Sequence, residues 1–295
     1  MRKRLLIFAL TVTIVAATAS VAQAITWGEP DGEDHPNVVQ LLFVQDGVGF
    51  FGCSGTLLTE DVVLTAGHCT GWLDADGDLH ANDGVTYVRN APDINQIIVD
   101  ELLGKYRGDV TKWLRATWEA GQAVPHPHYA AFSGFPDTFD IGLVLLNGSI
   151  SVDEYGAMPS LGQFDYLSTA KASPSERMVQ LVGYGLVGKI PPFADDLIWE
   201  RRVGYATVVN TGESANAGPQ NIMTTNNPGE GNGVGGTCSG DSGGPAFWVD
   251  PATATATKVV VAVNSYGIAP LCNGNDYQFR TDTAVALNFV TPYLP

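Results

Sequence analysis

The sequence predicts an all-β fold, a barrel or a sandwich, and three observations carry that prediction. The first is a β-rich run, Val38-Val39-Gln40-Leu41-Leu42-Phe43-Val44, followed by Asp46-Gly47, a hairpin signal. The second is a further run from Phe50 to Leu58, closed by the turn Thr59-Glu60-Asp61 and followed by the apolar stretch Val62 to Ala66. The third is that the later chain repeats the habit. Residues 141–150, 178–187, 203–209, 246–249, 259–263 and 277–280 all read as short strands. Many short strands separated by turns specify packed or closed sheets rather than a helical bundle. One helix is expected at the end, over Ala284 to Val290.

The first 24 residues read as a targeting segment. Arg2-Lys3-Arg4 is a basic start, Leu5 to Ala19 is almost wholly apolar, and Ala22-Gln23-Ala24 is an A-x-A cleavage site. The apolar stretch is short for a membrane span. The expected product is residues 25–295, exported to the medium or the periplasm with no membrane attachment. That length is enough for one large or two small domains. The chain carries 15 basic and 31 acidic residues, a formal charge of −16, and the lost segment removes only basic groups. Such a balance argues against nucleic acid or an anionic membrane as a partner. Four cysteines in an exported chain imply disulfides, and three pairings exist. No C-x2-C spacing is present, so zinc is not the expected use of them.

Three stretches carry the chemistry. Gly236-Thr-Cys-Ser-Gly-Asp-Ser-Gly-Gly-Pro245 places Ser242 among four glycines. Glycines let a backbone turn tightly and expose its N–H groups, which acyl-transfer chemistry needs around a developing oxyanion. A serine alone is a weak nucleophile and needs a base with an orienting group. Leu64-Thr-Ala-Gly-His-Cys69 supplies His68. Asp140-Ile-Gly-Leu-Val-Leu-Leu146 supplies Asp140 at the head of an apolar strand.

In chain order these are His68, Asp140 and Ser242, and the three motifs together resemble the secreted chymotrypsin/trypsin-like serine proteases. The resemblance implies two six-stranded antiparallel β-barrels with the active site between them and a short C-terminal helix. It implies a serine endopeptidase in which His68 is the base, Asp140 orients it and Ser242 attacks, with Gly240 and Ser242 N–H groups as the oxyanion hole. It pairs Cys53 with Cys69 and Cys238 with Cys272. It also implies that a freed Ile25 terminus folds inward onto Asp241; here the A-x-A site would itself create that terminus. No metal or organic cofactor is implied. The expected partner is a protein or peptide substrate, and the expected state is a monomer.

The resemblance places Gly236 at the floor of the specificity pocket and Ser265-Tyr266-Gly267 along its wall. A floor without charge predicts an apolar or small substrate side chain. Another wall position falls at Asp276, which would restore basic specificity, or at Tyr277, which would shorten the pocket. Departures are Trp27 for a glycine, Ser54 for a glycine and Tyr184 for a tryptophan. His68 and Asp140 are also 72 positions apart, against roughly 45 in chymotrypsin. The extra length is expected within 71–123, with residues 100–120 partly helical and packed on the barrel. Asp74-Ala-Asp76-Gly-Asp78 is similar to a calcium loop, but Leu79 stands where that pattern wants glycine, so a solvated acidic turn is the default and calcium the alternative. His126 and His128 are expected to be structural rather than metal-binding. Two alternatives stay open: an inactive binding protein on this fold, and an esterase using the same groups.

Overall fold

The computed structural model describes residues 25–45, 49–82, 84–168, 172–187, 199–211, 217–227 and 235–295. The targeting segment, the Asp46-Gly47 turn and most of the Asn226–Gly236 loop lie outside the described residues. The early chain forms β1 (Glu29–Pro30), β2 (Val38–Gln45), β3 (Gly49–Leu57), β4 (Val62–Thr65), β5 (Gly71–Leu73), β6 (Leu79–Ala81), β7 (Thr86–Arg89), β8 (Glu119–Pro125) and β9 (Gly142–Leu146). The later chain forms β10 (Met178–Gly183), β11 (Arg202–Thr211), β12 (Asn221–Asn226), β13 (Pro245–Asp250), β14 (Thr255–Gly267) and β15 (Gly274–Arg280). Four short α-helices accompany them: α1 (Gly67–Thr70), α2 (Ile94–Ile97), α3 (Val110–Thr117) and α4 (Ala284–Val290).

Strands β2-β3-β4-β9-β8-β7 close into one antiparallel barrel. Strands β10 to β15 close into a second, because β11 pairs with β10 along its first part and with β12 along its last. A bulge between Val208 and Asn210 marks the change of partner. Closure leaves no long unpaired edge in either barrel. Val38, Val39, Leu41, Leu42 and Phe43 are all buried, so β2 is covered on both faces. Strand β11 instead alternates buried and exposed positions along most of its length, the mark of one covered face.

The region expected as an insertion contains two barrel strands, β7 and β8, with the extra chain between and before them. Residues 71–81 form the β5–β6 hairpin. Helix α2 runs into π-helical turns over Ile98–Lys105, and α3 follows. Asp93 and Asp109 start the two α-helices by accepting N–H groups of Gln96 and Lys112, each at 3.0 Å. Arg89 of β7 grips Glu101 with two bonds of 2.8 and 2.9 Å, and Trp113 Nε1 donates to the same carboxylate. Trp113, Leu114 and Trp118 then join the first barrel's core, as expected of a packed insertion.

The barrels meet across a buried polar seam. Arg201, just before β11, donates to Asp31 (2.7 Å) and to the carbonyls of Gly32, Val38 and Asn90. Tyr184 donates to the Ala91 carbonyl and receives a bond from Arg201. His35 also bonds Asp31. Burial pushes the Asp31 carboxyl up, but His35 and Arg201 more than offset it and hold it below the usual range. The seam fixes how the barrels face one another, and so the width of the cleft between them.

Candidate active site

Helix α1 carries His68 out of β4, and β9 begins just after Asp140. Gly67 allows their approach: a Cβ there would meet Tyr129 Cδ2 at 2.8 Å and Asp140 Oδ1 at 3.1 Å. Asp140 accepts the His68 backbone N–H (2.7 Å) and faces His68 Nδ1 at 2.9 and 3.1 Å. Ser265 Oγ donates to its second oxygen. Burial pushes Asp140 up, yet the charge and bonds of His68 and the bond of Ser265 hold it below the usual range. Burial likewise pulls the His68 imidazolium down, and Asp140 more than compensates, leaving His68 above its ordinary value. With Nδ1 turned to Asp140, Nε2 is the nitrogen left for the cleft. His126, by contrast, stacks on Phe139 and accepts the His128 N–H, and burial together with His128 pushes it down to about 4.

Ser242 stands between glycines with φ of +100° (Gly240) and +79° (Gly243), a region that favours glycine. A Cβ on Gly243 would lie 1.9 Å from Thr65 Oγ1 of the first barrel, so the loop is wedged against β4. Among the described residues the N–H groups of Gly240 and Ser242 have no hydrogen-bond partner. His68, Asp140 and Ser242 line one cleft of about 370 Å³, with no direct bond between Ser242 and the His68 ring. Such bonds are often long in unliganded sites.

Both disulfides expected from the resemblance are present, Cys53–Cys69 behind His68 and Cys238–Cys272 on the cleft wall. The family model for trypsin matches residues 27–290. The chain belongs to the trypsin family. Alkaline trypsins A and C of Manduca sexta are each 34% identical to it over 113 residues, 34% of this chain and 44% of theirs, so the match spans under half of those relatives. Among solved structures, an HL collagenase aligns over 88% of this chain and 93% of its own, at a TM-score of 0.57 and 14% identity. A mutant of human heparin binding protein aligns over 92% and 96%, at 0.55 and 17%. At those identities the structures establish the two-barrel fold alone.

The wall of the cleft in this trypsin-family chain differs from the sequence expectation. Ser265, Tyr266 and Gly267 line the cleft, but Gly236 does not. The Asn226 side chain occupies the space beside it: a Cβ on Gly236 would lie 1.9 Å from Asn226 Cγ and Oδ1. Gly236 instead gives its carbonyl to Thr26 N–H. Of the two residues left open for the further wall position, Asp276 lines the cleft. Asp276 Oδ2 takes the Thr237 N–H (2.7 Å) and Asn226 Nδ2 (2.9 Å). Burial pushes Asp276 up to about 6 in spite of those bonds. Tyr277, its neighbour on β15, points to the other face and stacks on Tyr266 at 4.8 Å, so it does not shorten the pocket.

Two further expected residues are fully buried. Ile25 is fully buried in the second barrel's core with Leu181 and Ala246. Asp241 is fully buried and accepts the N–H groups of Gly185 (2.8 Å) and Cys238 (2.9 Å). Burial pushes its carboxyl up to about 7, aided by the charge of Asp276 and opposed by those two bonds. Among the described residues no cation faces it. In the acidic turn, Asp74 takes the N–H groups of Asp76 and Asp78 on one oxygen and faces the His80 ring with the other. The Ser265–Asp140 bond, the Asn226 plug and the polar role of Ser54 have no counterpart in the sequence reading. Ser54 is visible there only as a serine in a glycine's place.

Proposed function

We propose that the protein is an exported serine endopeptidase that cuts peptide bonds after lysine or arginine through an acyl-enzyme. The observation that carries this is the Asp140–His68 pair sharing a cleft with Ser242, whose loop has two N–H groups without a partner among the described residues. Ser242 Oγ attacks the acyl carbon while His68 Nε2 takes its proton. The carbonyl oxygen becomes an oxyanion held by the Gly240 and Ser242 N–H groups, each worth on the order of 2.7–4 kcal/mol in a comparable site. His68 then gives the proton to the leaving amine, and the C–N bond breaks. Water, activated by the same base, repeats the sequence on the ester and releases Ser242. Asp140 keeps the imidazole in the required tautomer and stabilises the imidazolium.

The lysine or arginine preference rests on Asp276, since a cationic side chain entering the cleft meets an acid that burial leaves short of a partner. The activating cation for Asp241 is the amine freed when the chain is cut before Ile25; neither charge is tolerated in burial alone. Amide hydrolysis is favoured over ester hydrolysis as the natural reaction by the family, although the same groups cleave both.

Labelling by a fluorophosphonate tests the reading. The Ile25-start protein is expected to take up one label at Ser242, and Ser242→Ala and His68→Ala none or far less. A folded parent that takes up no label would contradict it and return the weight to a binding role.

A further inference from the structure

Gly240 has no side chain to fix it, its φ of +100° lies in the region that favours glycine, and its N–H has no hydrogen-bond partner among the described residues, so in the proposed function it is a hinge that bears a donor. A donor on such a hinge is useful only if the peptides on both sides are held. The Ser239–Gly240 peptide is held by its carbonyl, which accepts the Leu186 N–H at 2.8 Å, so its N–H points away from that bond. The Gly240–Asp241 peptide is held at its N–H by the Cys238 carbonyl (3.0 Å) and at its carbonyl by a side chain from the other barrel, Ser54 Oγ, at 3.0 Å.

Ser54 lies on β3, next to Cys53 of the disulfide that ties Cys69, and is fully buried. Its hydroxyl gives its proton to the Gly240 carbonyl and accepts the Tyr184 N–H at 3.0 Å. Its own N–H donates to the Ser242 carbonyl at 2.8 Å, and its carbonyl accepts Thr65 Oγ1 at 2.9 Å. One residue of the first barrel therefore grips the nucleophile loop of the second at Gly240 and at Ser242. The hydroxyl also reaches Tyr184, whose neighbour Gly185 gives its N–H to Asp241. A glycine at 54 would keep the backbone bond to Ser242 and lose both hydroxyl bonds.

We propose that the Ser54 hydroxyl is a positioning group for the oxyanion-binding N–H groups, clamping the Gly240 hinge from the opposite barrel. This rests on the hydrolase reading of Ser242. Ser54 touches no reacting atom; it acts on the direction of the Gly240 N–H. Ser54→Ala removes the clamp and leaves the Gly240 carbonyl and Tyr184 N–H facing a methyl group. Ser54→Gly removes it too but leaves a space in which a water bridges the same two groups.

The test uses the Ile25-start protein and both variants, each checked for folding by thermal unfolding. Peptide turnover is measured together with the rate of phosphorylation by diisopropyl fluorophosphate, which places an oxygen at the N–H groups without needing the specificity pocket. Ser54→Ala is expected to lose about 10- to 100-fold in kcat, with KM changed by less than about twofold, short of the roughly 10²- to 10³-fold that follows outright removal of such a donor. Phosphorylation is expected to slow in parallel, and Ser54→Gly to retain more of both rates than Ser54→Ala. A folded Ser54→Ala with parental kcat overturns the proposal. So does a loss of stability with an unchanged phosphorylation rate, which marks a merely structural role. If Ser54→Ala does not fold, Ser54→Cys, whose thiol is a weaker donor and acceptor on a side chain of similar shape, carries the same comparison against the parent. A parent inert to both reagents overturns the hydrolase reading and this assignment with it.

Discussion

Asp31, at the seam between the barrels, and Asp241, beneath the nucleophile loop, are equally inaccessible to water and are held in opposite ways. Asp31 has Arg201 and His35 against it and stays below the usual carboxylate range. Asp241 has two backbone N–H groups and no cation among the described residues, and it is pushed up to about 7. Asp276, lining the cleft, resembles Asp241 and is pushed up to about 6. A buried carboxylate without a cation is costly, so a chain that keeps one has a use for the missing charge. We read the three acids by the source of their partner. Asp31 draws its cation from within the fold and holds the barrels together. Under the proposed function, the partner of Asp241 is the amine made by processing, and that of Asp276 is the substrate.

The comparison breaks most visibly at the seam. Arg201→Met strands Asp31 and is expected to cost about 3–5 kcal/mol of stability, the usual result of removing one partner of a buried pair. Urea unfolding measures it, and Asp31→Asn in the same background should recover part of the loss. A variant as stable as the parent would show that the seam is not held by charge.

Asp276 in the cleft comes next. Asp276→Ser should lower kcat/KM about 100-fold for substrates cut after arginine, equivalent to about 2.7 kcal/mol, and leave cutting after apolar residues nearly unchanged. The same preference should fade as pH falls below about 6, where Asp276 is protonated. Equal losses on both substrate classes would show that Asp276 does not select the substrate's side chain.

The pH dependence of stability sharpens the case of Asp241. Its folded value of about 7 lies above the ordinary aspartate value of 3.8. Between those two, the folded chain holds a proton that the unfolded chain has released. Stability must therefore fall as pH rises through that window, and the loss is complete above about 7. This holds for a chain that retains residues before Ile25. Freeing the Ile25 amine supplies a cation and should flatten or reverse the slope. The difference between the urea midpoints of the two forms at pH 5 and pH 8 reads what the amine does to Asp241 and to the Asp276 charge coupled to it. Parallel curves would mean that the amine does not reach it.

Much of the site is legible in the sequence because its chemistry requires unusual residues close together. A serine among glycines, a histidine beside a cysteine and an acid heading an apolar strand each mark themselves, and the chain order relates them. Helix α4 spans the residues the sequence predicts, because apolar positions and Thr283 at its start, whose side chain caps Ala286, define it locally. The strands β7, β8 and β12 are not legible in the same way. Two lie inside the region of unusual length, and Asn221-Ile-Met-Thr-Thr-Asn226 shows neither alternation nor a continuous apolar run. The face of β15 is hidden too, since a one-residue shift exchanges Asp276 for Tyr277. Pairing decides it: Asp276 lies opposite Thr224 on one side and Gly267 on the other. The hydroxyls of Ser54 and Ser265 act on groups 186 and 125 positions away, and a serine carries no local mark of such a partner.

The most direct test of the central claim is to incubate the Ile25-start protein and its Ser242→Ala variant with a mixed peptide library and read the cut sites by mass spectrometry. We expect cleavage by the parent alone, with lysine or arginine before most of the cuts. No cleavage by either protein, with the Ile25 terminus verified by Edman sequencing, would contradict the account.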